Sequence, residues 1–381
     1  MTRVSDTPFH TLDEIPDLSG KRALVRAGLN VPLAGGAVRA DFRIREACKT
    51  IEYLQKRGAR VIVLAYIGRD PGETLKPVHE SMRRFLEIQW AGGLVGEPVS
   101  VAVSALKGGE ALLLENTRSD PREEANDEAL SQALAAYGDI YINDAFADSH
   151  RVYASIVGIP KYLPSYAGFS FVREYEHLSK AFDPAHPALL ALGGAKFETK
   201  LPLVERFVKE YDHVFIGGAI ANDFLKAKGY EVGKSKISDI DLSGSPLLSD
   251  SRIIVPDDVV VSGPGGRIAK AADAVTKDES ILDIGPKTMG KLAPIVSDAK
   301  TILWNGPLGN YEECYIEATN TLAKMIAESS ATSILGGGDT IAAIEKLVLN
   351  EKFTFISTAG GAMLEFLERE TLPGIDALVR A

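Results

Sequence analysis

Hydrophobic positions along this chain fall into short unbroken runs separated by stretches of helical spacing. The runs at 22–29, 60–67, 111–115 and 139–146 form a first series. A second follows at 188–192, 213–216, 253–261, 281–284, 301–304, 333–335 and 353–357. Runs of this length without polar alternation predict strands buried on both faces of a parallel sheet. Between them, helical spacing recurs over 43–55, 128–137, 203–211, 316–328 and 340–348. The alternation predicts an α/β protein of two doubly wound, Rossmann-like parallel-sheet domains. A helix over 172–182, followed by the proline-bearing segment DPAHP at 183–187, is the expected hinge. We expect an N-terminal domain over 1–170, a C-terminal domain over 171–365, and a tail over 366–381 that returns to the first. The Ser-, Asp- and Gly-rich stretch 233–251 reads as a surface loop.

Composition narrows the function classes. With 381 residues, 45% hydrophobic and 25% charged, each half is long enough to bury a core. A formal net charge of -10 argues against a nucleic-acid binder that works by neutralising phosphates, although a local basic pocket remains compatible with it. The start, MTRVSDTPFHTLDEIPDLSG, has no apolar leader core, and no apolar run approaches membrane-spanning length. Two distant cysteines, Cys48 and Cys314, make neither a disulfide framework nor a cysteine zinc site, and Cys48 falls on the packing face of a helical pattern. The expectation is a cytoplasmic monomer with no membrane or nucleic-acid partner.

Most runs after residue 185 end in glycine: LGGAK at 192–196, IGGA at 216–219, DIGPKT at 283–288, WNGPLG at 304–309, LGGGDT at 335–340 and STAGGA at 357–362. In open parallel sheets ligands bind beyond the carboxyl ends of the strands. Glycine there lets backbone N–H groups approach a phosphate, and the following helix offers its positive end. A single Gly-Gly is often only a turn; the repetition points to a phosphate or nucleotide site. Two other motifs carry no such signal. GYEVGKS at 229–235 has three residues between its glycines where a P-loop has four, and it follows a helical pattern. GPGG at 263–266 is a lone turn.

The order and spacing of these motifs resemble phosphoglycerate kinases. The resemblance implies reversible phosphoryl transfer between 1,3-bisphosphoglycerate and ADP, with ADP or ATP bound as the magnesium complex by the C-terminal domain. It places Gly194, Lys196, Lys200, Gly218, Asn305, Gly306, Gly337, Gly338 and Thr340 around the nucleotide phosphates, with Glu312 at the ribose. Asp339 becomes the magnesium-linked aspartate. Gly360 and Gly361 lie near the transferring phosphoryl group, and Ala359 stands where that family usually has a first glycine.

In the first half, arginines recur where expected strands end and helices begin: Arg26, Arg43, Arg69, Arg118 and Arg151. Arginine grips carboxylate and phosphate with two parallel hydrogen bonds. By the same resemblance, Asn30, Arg43, Arg69, Arg118 and Arg151 bind 3-phosphoglycerate. Arg43 and Lys196, with Gly360, serve the transfer itself. The family's VDFNVP is here AGLNVP, with Gly28 for the aspartate that contacts the substrate hydroxyl. Its SHLGR is AYIGR, with Tyr66 for a substrate-binding histidine. LRF is TRS, keeping Arg118. NDAFADSHRVYAS keeps His150 and Arg151 and has Tyr153 where a second histidine is usual. These departures bear on which acid is accepted and how tightly. A weakly active or non-catalytic nucleotide-binding relative, or a kinase for another small phosphorylated acid, stays open on the sequence alone.

Overall fold

The computed structural model describes residues 7–379. The reading of the first residues as lacking a leader falls partly on 1–6, outside that range. The chain divides into two compact units: the described residues up to Glu176 together with those from Thr371 on, and His177–Glu370.

The first unit is built on six strands: β1 (Arg22–Ala27), β4 (Arg60–Leu64), β5 (Gln89–Trp90), β6 (Ala111–Leu113), β7 (Ile140–Asp144) and β8 (Ser165–Ala167). A small hairpin, β2 (Leu33–Ala34) and β3 (Ala37–Val38), stands apart. The sheet runs β5-β6-β4-β1-β7-β8 and every pairing is parallel. β7 is buried throughout, and β1 beyond its first residue. This accounts for the unbroken apolar runs, since helices cover both faces of a parallel sheet. The helix Phe42–Lys56 lays Ile44, Ala47, Cys48, Ile51 and Leu54 on the core. Burial there pushes the Cys48 thiol up to about 12.

The second unit repeats the plan with β9 (Ala188–Leu192), β10 (His213–Ile216), β11 (Ile253–Ile254), β15 (Thr301–Asn305), β16 (Thr332–Gly336) and β17 (Phe355–Ile356), in the order β11-β10-β9-β15-β16-β17, again all parallel. One expectation fails here. The run 253–261 is not one strand of this sheet. It breaks at Pro256, which has no N–H for a ladder. The chain then enters β12 (Asp258–Gly263), which pairs antiparallel with β13 (Gly266–Ala271) and β14 (Ser280–Ile284) in a separate three-stranded sheet. The GPGG sequence is the hairpin turn between β12 and β13.

Several first-unit strands stop short of the apolar run that announced them. β1 ends at Ala27, two residues before Leu29; β4 ends at Leu64; β7 ends at Asp144. The shortfall lies at the carboxyl ends, where the chain leaves the ladder to build loops. Asn116 stitches two of these together: it donates to the carbonyls of Ile67 at 3.1 Å and Glu73 at 2.7 Å, and accepts from Ile67 N at 3.3 Å.

At the end of β7, the buried carboxylate of Asp144 accepts hydrogen bonds from Ser170 N at 2.7 Å and Phe171 N at 3.3 Å. It therefore caps the helix Phe169–Ser179 from a distant strand. Burial raises its pKa to about 7, against the pull of its hydrogen-bond donors. Because the folded state holds this proton more tightly than the unfolded chain, its contribution is present below about pH 4 and is lost as pH rises towards 7. We predict that the stability difference between wild type and Asp144→Asn, from urea unfolding, falls across pH 4 to 7. A flat or rising difference contradicts this assignment.

Candidate active site

In the second unit, β9 and β15 lie side by side while their neighbours extend in opposite directions, which makes the switch point of the sheet. The loops beyond them are laced together: Gly193 N donates to Asn305 O at 2.9 Å, Gly194 N to Pro307 O at 2.7 Å and Gly218 N to Leu308 O at 3.1 Å. Such close backbone approach leaves no room for side chains. A Cβ on Gly306 would stand 2.4 Å from Gly193 O, and its φ of +96° is itself unfavourable for other residues.

A cleft of about 290 Å³ opens beside these loops. Gly194, Ala195, Gly218 and Pro307 line it, Ile281 and Leu308 give it apolar surface, and Glu312 and Asp339 add carboxylates. Asp339 is exposed in the first turn of the helix Gly338–Lys346, and Thr340 Oγ1 accepts from Gly306 N at 3.0 Å. Behind the loops Lys200 is buried. Its ammonium donates to the carbonyls of Gly193 and Asn305, burial lowers its pKa to about 8, and the charge of Asp339 opposes that shift. Glycine backbone, a helix N-terminus and a buried cation at one end of an apolar slot suit a nucleotide with its phosphates at that end. Among the described residues no cluster of three or more metal-ligating side chains occurs. One exposed carboxylate, Asp339, fits magnesium, which binds through one or two carboxylates and substrate phosphates.

Other sequence candidates lie outside the cleft lining. Lys196 is exposed and precedes the turn Phe197–Thr199. Gly360 and Gly361 are exposed where the helix Gly361–Arg369 begins. The DIGPKT end differs from the rest. It closes an antiparallel strand, and its helix start is already capped by Asp258, which accepts from Lys287 N at 3.0 Å and Thr288 N at 2.7 Å. That helix end is not free for phosphate.

In the first unit, an open cleft of about 890 Å³ has Asn30, Arg69, Arg118 and Arg151 in its lining, with Tyr66, Glu73 and Glu124. Asn30 is the hub. Its Oδ1 accepts from Gly68 N at 3.0 Å, its Nδ2 donates to Tyr66 Oη at 3.2 Å, and its carbonyl accepts from Arg43 Nη1 at 2.8 Å. Arg43 thus stands next to the lining. The Tyr66 ring lies 4.1 Å from the Arg118 guanidinium and 5.4 Å from that of Arg26. Burial pushes the Tyr66 phenol pKa up. Arg26 is not a ligand-facing residue. It is fully buried, paired with Asp148 at 3.0 Å and donating to Ser155 Oγ at 2.9 Å.

The sequence pattern did not single out Glu73, Glu124, Lys236, Asn310 or Tyr311, all of which line one cleft or the other. A carboxylate in an arginine-lined cleft has no sequence signature, and Lys236 lies in the stretch that reads as a surface loop. Asp283 lay within a flagged glycine motif; burial raises its pKa to about 6.

One unit thus carries a glycine-lined cleft and the other an arginine-lined one, features that suit a nucleotide and a small anion. The model of one family, phosphoglycerate kinase, matches residues 12–370. The phosphoglycerate kinases of Rhizorhabdus wittichii and Herpetosiphon aurantiacus are 42% and 43% identical to this chain, over 97% and 94% of it and 99% and 96% of their own lengths. The solved phosphoglycerate kinases of Coxiella burnetii and Pyrococcus horikoshii superpose with TM-scores of 0.86 and 0.84 at 36% and 31% identity. Each match covers 97% of this chain and 98% of the other. The chain belongs to the phosphoglycerate kinase family.

Two glycines separate scaffold from ligand contact. Gly306→Ala should lower the stability of this unit by at least roughly 1–3 kcal/mol, because strain at a positive φ adds to the clash with the Gly193 carbonyl. At Gly338 an added Cβ meets nothing within 4 Å. Gly338→Ala should therefore leave stability within about 1 kcal/mol while weakening MgADP binding about tenfold or more, because its methyl shields the helix N-terminus. Urea unfolding and calorimetry check both. Unchanged MgADP affinity in Gly338→Ala contradicts the placement of the phosphates.

Proposed function

We propose that this chain is an ATP:3-phosphoglycerate phosphotransferase that interconverts 1,3-bisphosphoglycerate plus ADP with 3-phosphoglycerate plus ATP. The observation that carries this reading is the convergence of Asn30, Arg69, Arg118 and Arg151, from four separate loops, on one open cleft in a chain of this family. In the glycolytic direction an ADP β-phosphate oxygen attacks the acyl phosphate in line; the P–O bond to the acyl oxygen breaks and the carboxylate leaves, with no proton transferred. Such transfer depends on positioning and charge neutralisation. The arginines hold the acid by its anionic groups. Arg43 in the first unit, fixed by the Asn30 carbonyl, and Lys196 in the second each supply positive charge for the transfer. Gly360 and Gly361 leave backbone space for that group. The glycine loops and the Gly338 helix start hold the nucleotide phosphates, and Glu312 takes the ribose. Asp339 would hold magnesium, which supplies charge neutralisation on those phosphates when bound. The reading includes a monomer, and a glycolytic role puts it in the cytoplasm. Among the described residues no helix is long and apolar enough to cross a membrane.

The acceptor cleft carries the departures. At Gly28 an added Cβ would have only ordinary contacts, the nearest at 3.8 Å, so the backbone there accepts a side chain. A hydrogen bond to a charged group is worth roughly 1.5–3 kcal/mol, and about 1.4 kcal/mol is tenfold. A coupled assay with MgATP and 3-phosphoglycerate should show turnover above a no-enzyme control. The double variant Gly28→Asp, Tyr66→His should raise kcat/KM for 3-phosphoglycerate at least about tenfold and leave ADP affinity unchanged. No turnover in either protein, both folded and binding ADP, contradicts the assignment of the acceptor.

A further inference from the structure

Arg118 stands in the acceptor cleft with each edge of its guanidinium engaged by the unit's own atoms. Nη1 donates to Gly68 O at 2.5 Å and Nη2 to Tyr153 Oη at 3.3 Å. Nε lies 3.0 Å from Oε1 of Glu124, an ion pair in which the N–H is not aimed at the oxygen and makes no hydrogen bond. Tyr153 closes the loop by donating to the same Glu124 oxygen at 3.0 Å. The face of the guanidinium lies on the Tyr66 ring. Arg118 is therefore fixed in plane and orientation, and its Nε edge is covered by a carboxylate rather than open to the cleft.

We propose that Glu124 is the resident counter-anion of the acceptor cleft, and that a phosphorylated acid binds by displacing it from Arg118. This rests on the reading of the cleft as the site of the acceptor's anionic groups. Three features favour exchange over a permanent pair. The Glu124 side chain is 55% exposed whereas that of Arg118 is 14% exposed, so the carboxylate is the partner free to leave. Its pairing is misaligned, while a phosphate dianion brings more charge and three acceptor oxygens to the same edge. The backbone that carries it is anchored. The adjacent Glu123 is buried, accepts from Ser155 N at 2.9 Å through its side chain, and accepts from Ala154 N at 2.9 Å through its carbonyl. Displacement is thus a side-chain rotation on a fixed segment. Gly68 O and Tyr66 keep Arg118 aimed once Glu124 has gone. Glu124 and Tyr153 act through Arg118, as positioning residues that set how tightly the acceptor is held.

The test is calorimetric titration of the full chain with 3-phosphoglycerate and, separately, inorganic phosphate, alongside the acceptor KM. Glu124→Gln should tighten 3-phosphoglycerate about twofold to fivefold, the range of a partly exposed ion pair, and lower its KM in step. Glu124→Asp, which keeps the charge, should stay near wild type, and Tyr153→Phe should give a smaller gain in the same direction. A residue that only supports the fold would instead weaken binding and lower Tm when replaced. The inference is overturned if Glu124→Gln binds 3-phosphoglycerate no more tightly than wild type at unchanged Tm. Wild type that binds neither probe removes the reading of the cleft itself, and this inference with it.

Discussion

A parallel strand buried on both faces has its backbone paired along its length, but beyond its carboxyl end the chain must turn out of the ladder with N–H and C=O groups unspent. Everything functional in this protein depends on how those groups are handled. In the second unit the loops bond to one another: Gly193 to Asn305, Gly194 to Pro307, Gly218 to Leu308. Only glycine tolerates that crowding, and the same crowding leaves a backbone-lined cleft beside a helix start. In the first unit side chains take over. Asn116 and Asn30 satisfy the loop backbone, and the cleft is furnished with guanidinium groups.

The two clefts therefore suit different ligands for physical reasons. A narrow slot with apolar walls and backbone donors at one end fits a flat base with a phosphate tail. An open cleft with several arginines fits a small, highly charged acid that carries most of its own polarity. Two buried cations are paired or damped: Arg26 with Asp148, and Lys200 against backbone carbonyls in the range of Asp339. These buried groups set the positions of the loops in front of them.

Much of this was legible in the chain. β9 and β10 match their apolar runs at both ends, and the helix Phe42–Lys56 exceeds its periodic pattern by one residue at each end. The glycine motifs led to the glycine-lined cleft of the second unit because the physical demand, a side chain that cannot fit, has a one-letter signature. The site ends of first-unit strands were misjudged, because Leu29, Ile67 and Phe146 stay buried after leaving the ladder and burial alone does not tell strand from loop. The break at Pro256 was written in the sequence, yet the antiparallel side sheet beyond it depends on tertiary pairing. Glu124 and Lys236 were invisible, since a charged residue on a loop reads the same whether it meets solvent or a cleft.

The claim that one unit takes the nucleotide and the other the acid is tested most directly by amide hydrogen exchange on the full chain with each ligand alone. MgADP should slow exchange at 193–200, 305–312 and 337–340, and 3-phosphoglycerate at 28–33, 66–69, 116–124 and 150–153. Protection by both ligands in the same unit, or none from 3-phosphoglycerate at saturating concentration, would contradict the account.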